Sequence, residues 1–132
     1  MPEAARRTAP RRLCHIDDVP DRGARGFDLE GLGQDSAFAV RRGAVVYLWR
    51  DRCPHAGTPM AWRKDAYLNA AGDRIVCAAH GALFEIDSGL CIQGPCLGER
   101  LRPVPFSLNE QGELLLIAAA MQHPITITGD NP

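Results

Sequence analysis

Cys53-Pro54-His55-Ala56-Gly57-Thr58-Pro59 and Cys77-Ala78-Ala79-His80-Gly81-Ala82-Leu83-Phe84 decide how this chain is read. Each stretch opens on a thiol and adds an imidazole at loop spacing, C-x-H in the first and C-x-x-H in the second. The 21 residues between His55 and Cys77 separate the two halves. Brought together, they offer two sulfur and two nitrogen donors, a set that suits tetrahedral zinc or a two-iron, two-sulfide cluster with two histidine ligands. The bland alternative makes each cysteine a small buried apolar residue and each histidine a satisfied polar group. Four such residues in two matched pairs, bounded by proline or glycine, argue for a metal. Structural zinc sites usually pair like with like, as C-x₂₋₄-C or H-x₃₋₅-H. Mixed pairs instead let each loop give one thiolate to one iron and one imidazole to the other.

Composition narrows the setting. At 132 residues, 45% hydrophobic and 23% charged, the sequence fits one globular domain with a real core. Fifteen basic and sixteen acidic side chains leave a net charge of −1, so no field points to nucleic acid or an anionic membrane. Arg6-Arg7 resembles the start of a twin-arginine signal, but Thr8-Ala9-Pro10-Arg11-Arg12 follows instead of the roughly 7–15 apolar residues such a signal needs. No run approaches the roughly 20 apolar residues of a membrane span. A cytoplasmic location is the expectation. Five cysteines, an odd number in a reducing compartment, favour metal ligation over a disulfide framework.

Short strands punctuated by 13 glycines and 10 prolines run through the chain. Strands are expected over 12–16, 37–41 and 44–49, the last two as a hairpin around Arg42-Gly43, with Val45 to Trp49 as a central strand. Arg74-Ile75-Val76 leads into the second ligand pair. Residues 83–86 and 90–92 flank the turn Asp87-Ser88-Gly89, and 104–108 with 113–117 form a last hairpin. The fold class is all-β, an antiparallel sandwich or small barrel of short strands, with both ligand loops at one end. Helical patterning is confined to Ala118–Met121. The expected organisation is a flexible arm over 1–11, the domain over 12–118 and a tail over 119–132.

The two ligand stretches resemble those of Rieske [2Fe–2S] ferredoxins, over about residues 13–117. Gln93-Gly94-Pro95-Cys96 is similar to the proline loop that covers the cluster in that family. The resemblance implies one [2Fe–2S] cluster, with Cys53 and Cys77 on the inner iron and His55 and His80 on the outer, more exposed one. Two thiolates and two neutral imidazoles leave the oxidised site neutral, whereas four thiolates leave it a dianion. Adding an electron is therefore easier here, which explains potentials of about −150 to +300 mV against about −400 mV for plant-type ferredoxins. High-potential relatives carry hydroxyls two and four residues after the second histidine; Ala82 and Phe84 stand there. Those relatives also tie the two loops with a disulfide, whose positions are Thr58 and Ala79 here. Both departures imply the low-potential branch. The segment 63–73 is longer than in many relatives and reads as a surface excursion.

The implied function is one-electron transfer from a flavin-dependent reductase to a terminal oxygenase or similar enzyme, leaving through His55 and His80. A second reading is a small Rieske subunit of a multicomponent oxygenase or reductase; a third is a zinc-stabilised interaction module. Catalysis by this chain alone is not expected. Oxygenases of this kind add a mononuclear iron held by two histidines and a carboxylate, and only His15 and His123 are left over, both read as surface residues. No nucleic-acid or membrane partner is expected. Cys14 reads as core, Cys91 and Cys96 as two reduced thiols able to pair under oxidation, and Trp62 as a shield for the cluster. Arg50-Asp51-Arg52 reads as solvated loop charge near the site.

Overall fold

A computed structural model of the chain describes residues 11–54, 57–61, 63–79 and 81–117. Two compact units lie within it, one built from 17–103 and the other from residues at either end, up to Ile16 and from Val104 onward. The arm, the tail, His123 and the helical patterning of Ala118–Met121 lie outside the described residues, apart from Arg11.

The larger unit holds two antiparallel sheets. Strands β2 (Gly23–Phe27), β3 (Ala37–Arg42) and β4 (Val45–Arg50) form the first, with β3 in the centre. The expected hairpin forms, with Arg42 opposite Val45 and Gly43 at φ +64° turning the chain. The central position differs from expectation. Ala37, Phe38, Ala39 and Val40 are all fully buried, whereas Val45 of β4 is half exposed. The apolar run of β4 fills one face of a flanking strand, and β3 takes the covered position because β2 pairs along its other edge.

Strands β5 (Ile75–Cys77), β6 (Ala82–Phe84) and β7 (Cys91–Gln93) form the second sheet, with β6 central. Phe38, Trp49, Met60, Tyr67, Ile75, Phe84 and Ile86 share one hydrophobic core that also contains Cys53, Cys77, Cys91 and Cys96. The Asp87-Ser88-Gly89 turn closes over this core. Trp49 Nε1 donates to the Ile86 carbonyl at 3.2 Å, and Gly89 lies against the Trp49 ring at φ +70°.

The smaller unit is one sheet in the order β1 (Arg11–His15), β9 (Glu113–Leu116), β8 (Phe106–Leu108). Cys14, Leu114 and Leu116 point to its buried side, as read for Cys14. His15 is half-buried, its Nε2 within 2.8 Å of the Gln111 carbonyl. Among the described residues the only helical element is a 3₁₀ turn, Ile16–Asp18. The all-β antiparallel expectation holds, realised as three three-stranded sheets. None of the described helices is long and apolar enough to cross a membrane.

A Cβ at Gly89 would stand 2.8 Å from two Trp49 ring carbons, in a left-handed backbone that costs side chains further energy. Gly89→Ala is expected to lower unfolding free energy by about 1–3 kcal/mol, read as a lower denaturant midpoint at unchanged slope.

Candidate metal centre

The two cysteines of the ligand pairs occupy equivalent turns. The Gly57 amide donates to the Cys53 carbonyl and the Gly81 amide to the Cys77 carbonyl, both at 2.7 Å. Both glycines sit at φ +70°, which glycine adopts without the penalty a Cβ brings. Each half of the motif thus closes the same five-residue Cys-to-Gly turn. Cys53 follows β4 after a short connection, and its amide donates to the Thr58 carbonyl at 2.8 Å. Cys77 is the last residue of β5. Both thiols are essentially inaccessible, at 1% and 0% exposure. His55 and His80, like Trp62, lie outside the described residues.

A chain of hydrogen bonds joins the two turns. The Ala78 amide, next to Cys77, donates to the Met60 carbonyl at 2.9 Å. The Met60 amide donates to Asp51 Oδ1 at 2.7 Å, and the Tyr67 hydroxyl donates to Asp51 Oδ2 at 2.6 Å. Thr58 and Ala79, where a disulfide would stand in the high-potential pattern, are not bridged. The loops are held instead through Met60 and the carboxylate behind it.

Asp51 corrects the reading of Arg50-Asp51-Arg52 as solvated charge. Arg52 is exposed and Arg50 half-buried 3.6 Å from Glu30, but Asp51 is 8% exposed, the one charged side chain in the core of the described residues. Burial raises its pKa above the usual aspartate value of 3.8, while the bonds from Tyr67 and Met60 pull it back down. Burial, then the hydrogen bond to Asp51, pushes the Tyr67 hydroxyl up, so it remains a proton donor.

Tyr67 also revises the surface excursion over 63–73. Arg63, Lys64 and Asp65 are exposed as read. Tyr67, however, is 1% exposed and stacks on Phe38, ring centroids 4.2 Å apart and planes within 9°. The excursion is pinned to β2: the Gly26 amide donates to Asp65 Oδ1 at 2.7 Å and Lys64 Nζ to the Gly26 carbonyl at 2.9 Å. Gly26 is required there, because a Cβ would run into the Asp35 carboxylate and stand 2.7 Å from the Tyr67 hydroxyl. A single aromatic in a polar insertion was the available signal for this anchor.

The loop read as the cluster cover, Gln93 to Cys96, follows β7. Gly94 approaches β6 so closely that a Cβ would lie 2.8–2.9 Å from Ala82. Within the loop only Cys96 is buried. Ala82 and Phe84 are fully buried.

Comparison with known proteins gives a consistent picture. The family model of the Rieske [2Fe-2S] domain matches residues 10–114. The ferredoxin of carbazole 1,9a-dioxygenase from Nocardioides aromaticivorans IC177 is similar in fold, with a TM-score of 0.64 at 24% identity, over 83% of this chain and 97% of that one. A chain in a complex of reduced oxygenase and oxidized ferredoxin in carbazole 1,9a-dioxygenase gives 0.62 at 22% identity, over 84% and 94%. Sphingomonas yanoikuyae B1 ferredoxin gives 0.60 at 18%, over 83% and 98%. A search of curated proteins found no match. The residues suit the cluster that the family description names. Two thiols are sunk in an apolar core on matching turns, where iron would offset the thiolate charge that burial otherwise penalises.

Tyr67→Phe would leave a buried carboxylate short of one donor. At neutral pH the expected cost is about 1–3 kcal/mol, measured by denaturant unfolding. Because the lost bond favours ionised Asp51, the cost should shrink as pH falls through and below the raised Asp51 pKa.

Proposed function

This chain belongs to the Rieske [2Fe–2S] domain family, and we propose that it is a ferredoxin-like one-electron carrier serving a terminal oxygenase or similar enzyme. One [2Fe–2S] cluster is its cofactor. The observation that carries the functional reading is the pair of equal turns presenting Cys53 and Cys77, tied to each other through Met60 and Ala78. In this reading Cys53 and Cys77 hold the inner iron, and His55 and His80 hold the outer iron and form the exit for the electron. The cluster supplies a one-electron couple; the protein's own residues fix the loops, exclude water from the thiolate side and set the potential.

The donor in this proposal is a flavin-dependent reductase and the compartment is the cytoplasm. The oxygenase assignment draws support from the fold shared with dioxygenase ferredoxins. Electron paramagnetic resonance of the dithionite-reduced protein tests the centre. A rhombic signal with average g below the free-electron value is expected, and it should disappear in His55→Ala and His80→Ala. Colourless protein containing zinc and no acid-labile sulfide would establish the zinc module instead. Constant co-purification with a large subunit would establish the subunit reading over the free carrier.

The potential follows from what surrounds the second turn. Ala82 and Phe84 are fully buried and neither carries a side-chain donor, so neither position supplies a hydroxyl to stabilise the extra electron. A redox titration is expected to give a midpoint below about +100 mV, within the range of about −150 to +300 mV for Rieske centres. Phe84→Tyr introduces one hydroxyl at the position that carries one in high-potential relatives. A net hydrogen bond of about 0.5–1.5 kcal/mol, acting on the reduced form, corresponds to an upward shift of roughly 20–60 mV.

A further inference from the structure

We propose that Cys91 and Cys96 form a thiol–disulfide site of their own, separate from the cluster ligands, which takes a small disulfide as its oxidant. The Cys96 thiol donates to Cys91 Sγ at 3.1 Å, and the Cys91 thiol donates to the Gln93 carbonyl at 3.4 Å. A disulfide bond is about 2.05 Å long, so the two sulfurs need to close by only about 1 Å. The backbone around them is already bonded into one compact loop. The Cys91 amide donates to the Glu99 carbonyl, the Gly98 amide to the Cys91 carbonyl and the Glu99 amide to the Cys96 carbonyl, at 2.8, 3.1 and 2.9 Å.

Access comes from the loop itself. Both thiols are 1% exposed, yet Gln93, Gly94, Pro95, Leu97 and Gly98 around Cys96 are all exposed. Gly94 at φ +115° and Gly98 at φ +90° flank it. This short, exposed segment is bonded to Cys91 through Gly98 and Glu99, and it opens locally at less cost than a core strand does, uncovering the Cys91 sulfur when it lifts. The Cys96 thiol donates to the Cys91 sulfur, and this geometry assigns Cys91, the acceptor, as the first nucleophile and Cys96 as the resolving thiol.

The exchange balances. The Cys91 thiolate attacks one sulfur of oxidised glutathione, forming a mixed disulfide and releasing one glutathione thiolate. Cys96 then attacks the Cys91 sulfur, releasing the second. The two thiol protons pass to the two leaving thiolates, so the protein dithiol loses two electrons and glutathione gains them. The product is a covalent ring closing the loop over Gly94 and Pro95.

The test is peptide mapping of cluster-loaded protein, purified without air and treated with oxidised glutathione. The expected result is two fewer alkylatable thiols, a fragment joining residues 91 and 96 that has lost two hydrogens, and no retained glutathione. Cys96→Ser should instead keep glutathione on Cys91, and Cys14→Ser should form the same cross-link as the parent. A full thiol count after oxidation, a lasting glutathione adduct on the unaltered protein, or a cross-link to Cys14 would each overturn the proposal. Iron and sulfide assayed on the same sample separate this outcome from the cluster assignment, since Cys53 and Cys77 stay out of the count while iron is held. Where Cys96→Ser does not fold, the map of the unaltered protein decides alone.

Discussion

A carboxylate taken out of water must find donors, and the Asp51 carboxylate finds them in two segments that sequence places apart. Met60 gives its amide from the end of the first ligand loop, and Tyr67 gives its hydroxyl from the insertion that precedes β5. Burying an ionised carboxylate unpaired is prohibitive, so wherever Asp51 goes both donors must go with it. Met60 in turn accepts from Ala78. One buried charge thereby sets the position of the first turn, the insertion and the second turn together.

That arrangement does by hydrogen bonding what a disulfide does between the equivalent loops of the high-potential pattern. A covalent tie would put an oxidisable bond beside the two thiolates proposed to hold iron. A carboxylate with two donors holds the loops with no sulfur and is indifferent to the redox state of its surroundings. Tyr67 suits the role because its ring stacks on Phe38 while its hydroxyl, with its pKa pushed up, stays protonated. Gly26 then leaves the space that brings the ring there.

What sequence alone reveals follows from how local the physics is. Hairpins at 37–50, 82–93 and 106–116 are written in alternating or β-branched runs around glycine turns, and the structure has them within a residue or two. The Cys-x-His and Cys-x-x-His pairs are equally local. Strand β2 was illegible because Gly23 and Gly26 dilute its pattern, and Gly26 serves neighbours distant in sequence: a Cβ there would meet the Asp35 carboxylate and the Tyr67 hydroxyl. Asp51, flanked by two arginines, carries every local mark of a solvated charge. Its burial is decided by Met60 and Tyr67, nine and sixteen residues on. The centrality of β3 over β4 was likewise hidden, since sheet order depends on which strand finds two partners.

The two ligand motifs look unequal in sequence, with histidine two residues after Cys53 and three after Cys77. The backbone removes the inequality. Both turns run five residues from cysteine to glycine, both close with a 2.7 Å bond, and both end on a glycine at φ +70°. The offset therefore reflects which interior position of one shared turn carries the imidazole, and loop length is the same in each half. The proposed site, with two thiolates on one side and two imidazoles on the other, would require like ends to be equivalent. Equal closures on Cys53 and Cys77 suit that requirement, and the bond from the Ala78 amide to the Met60 carbonyl links the segments that carry them.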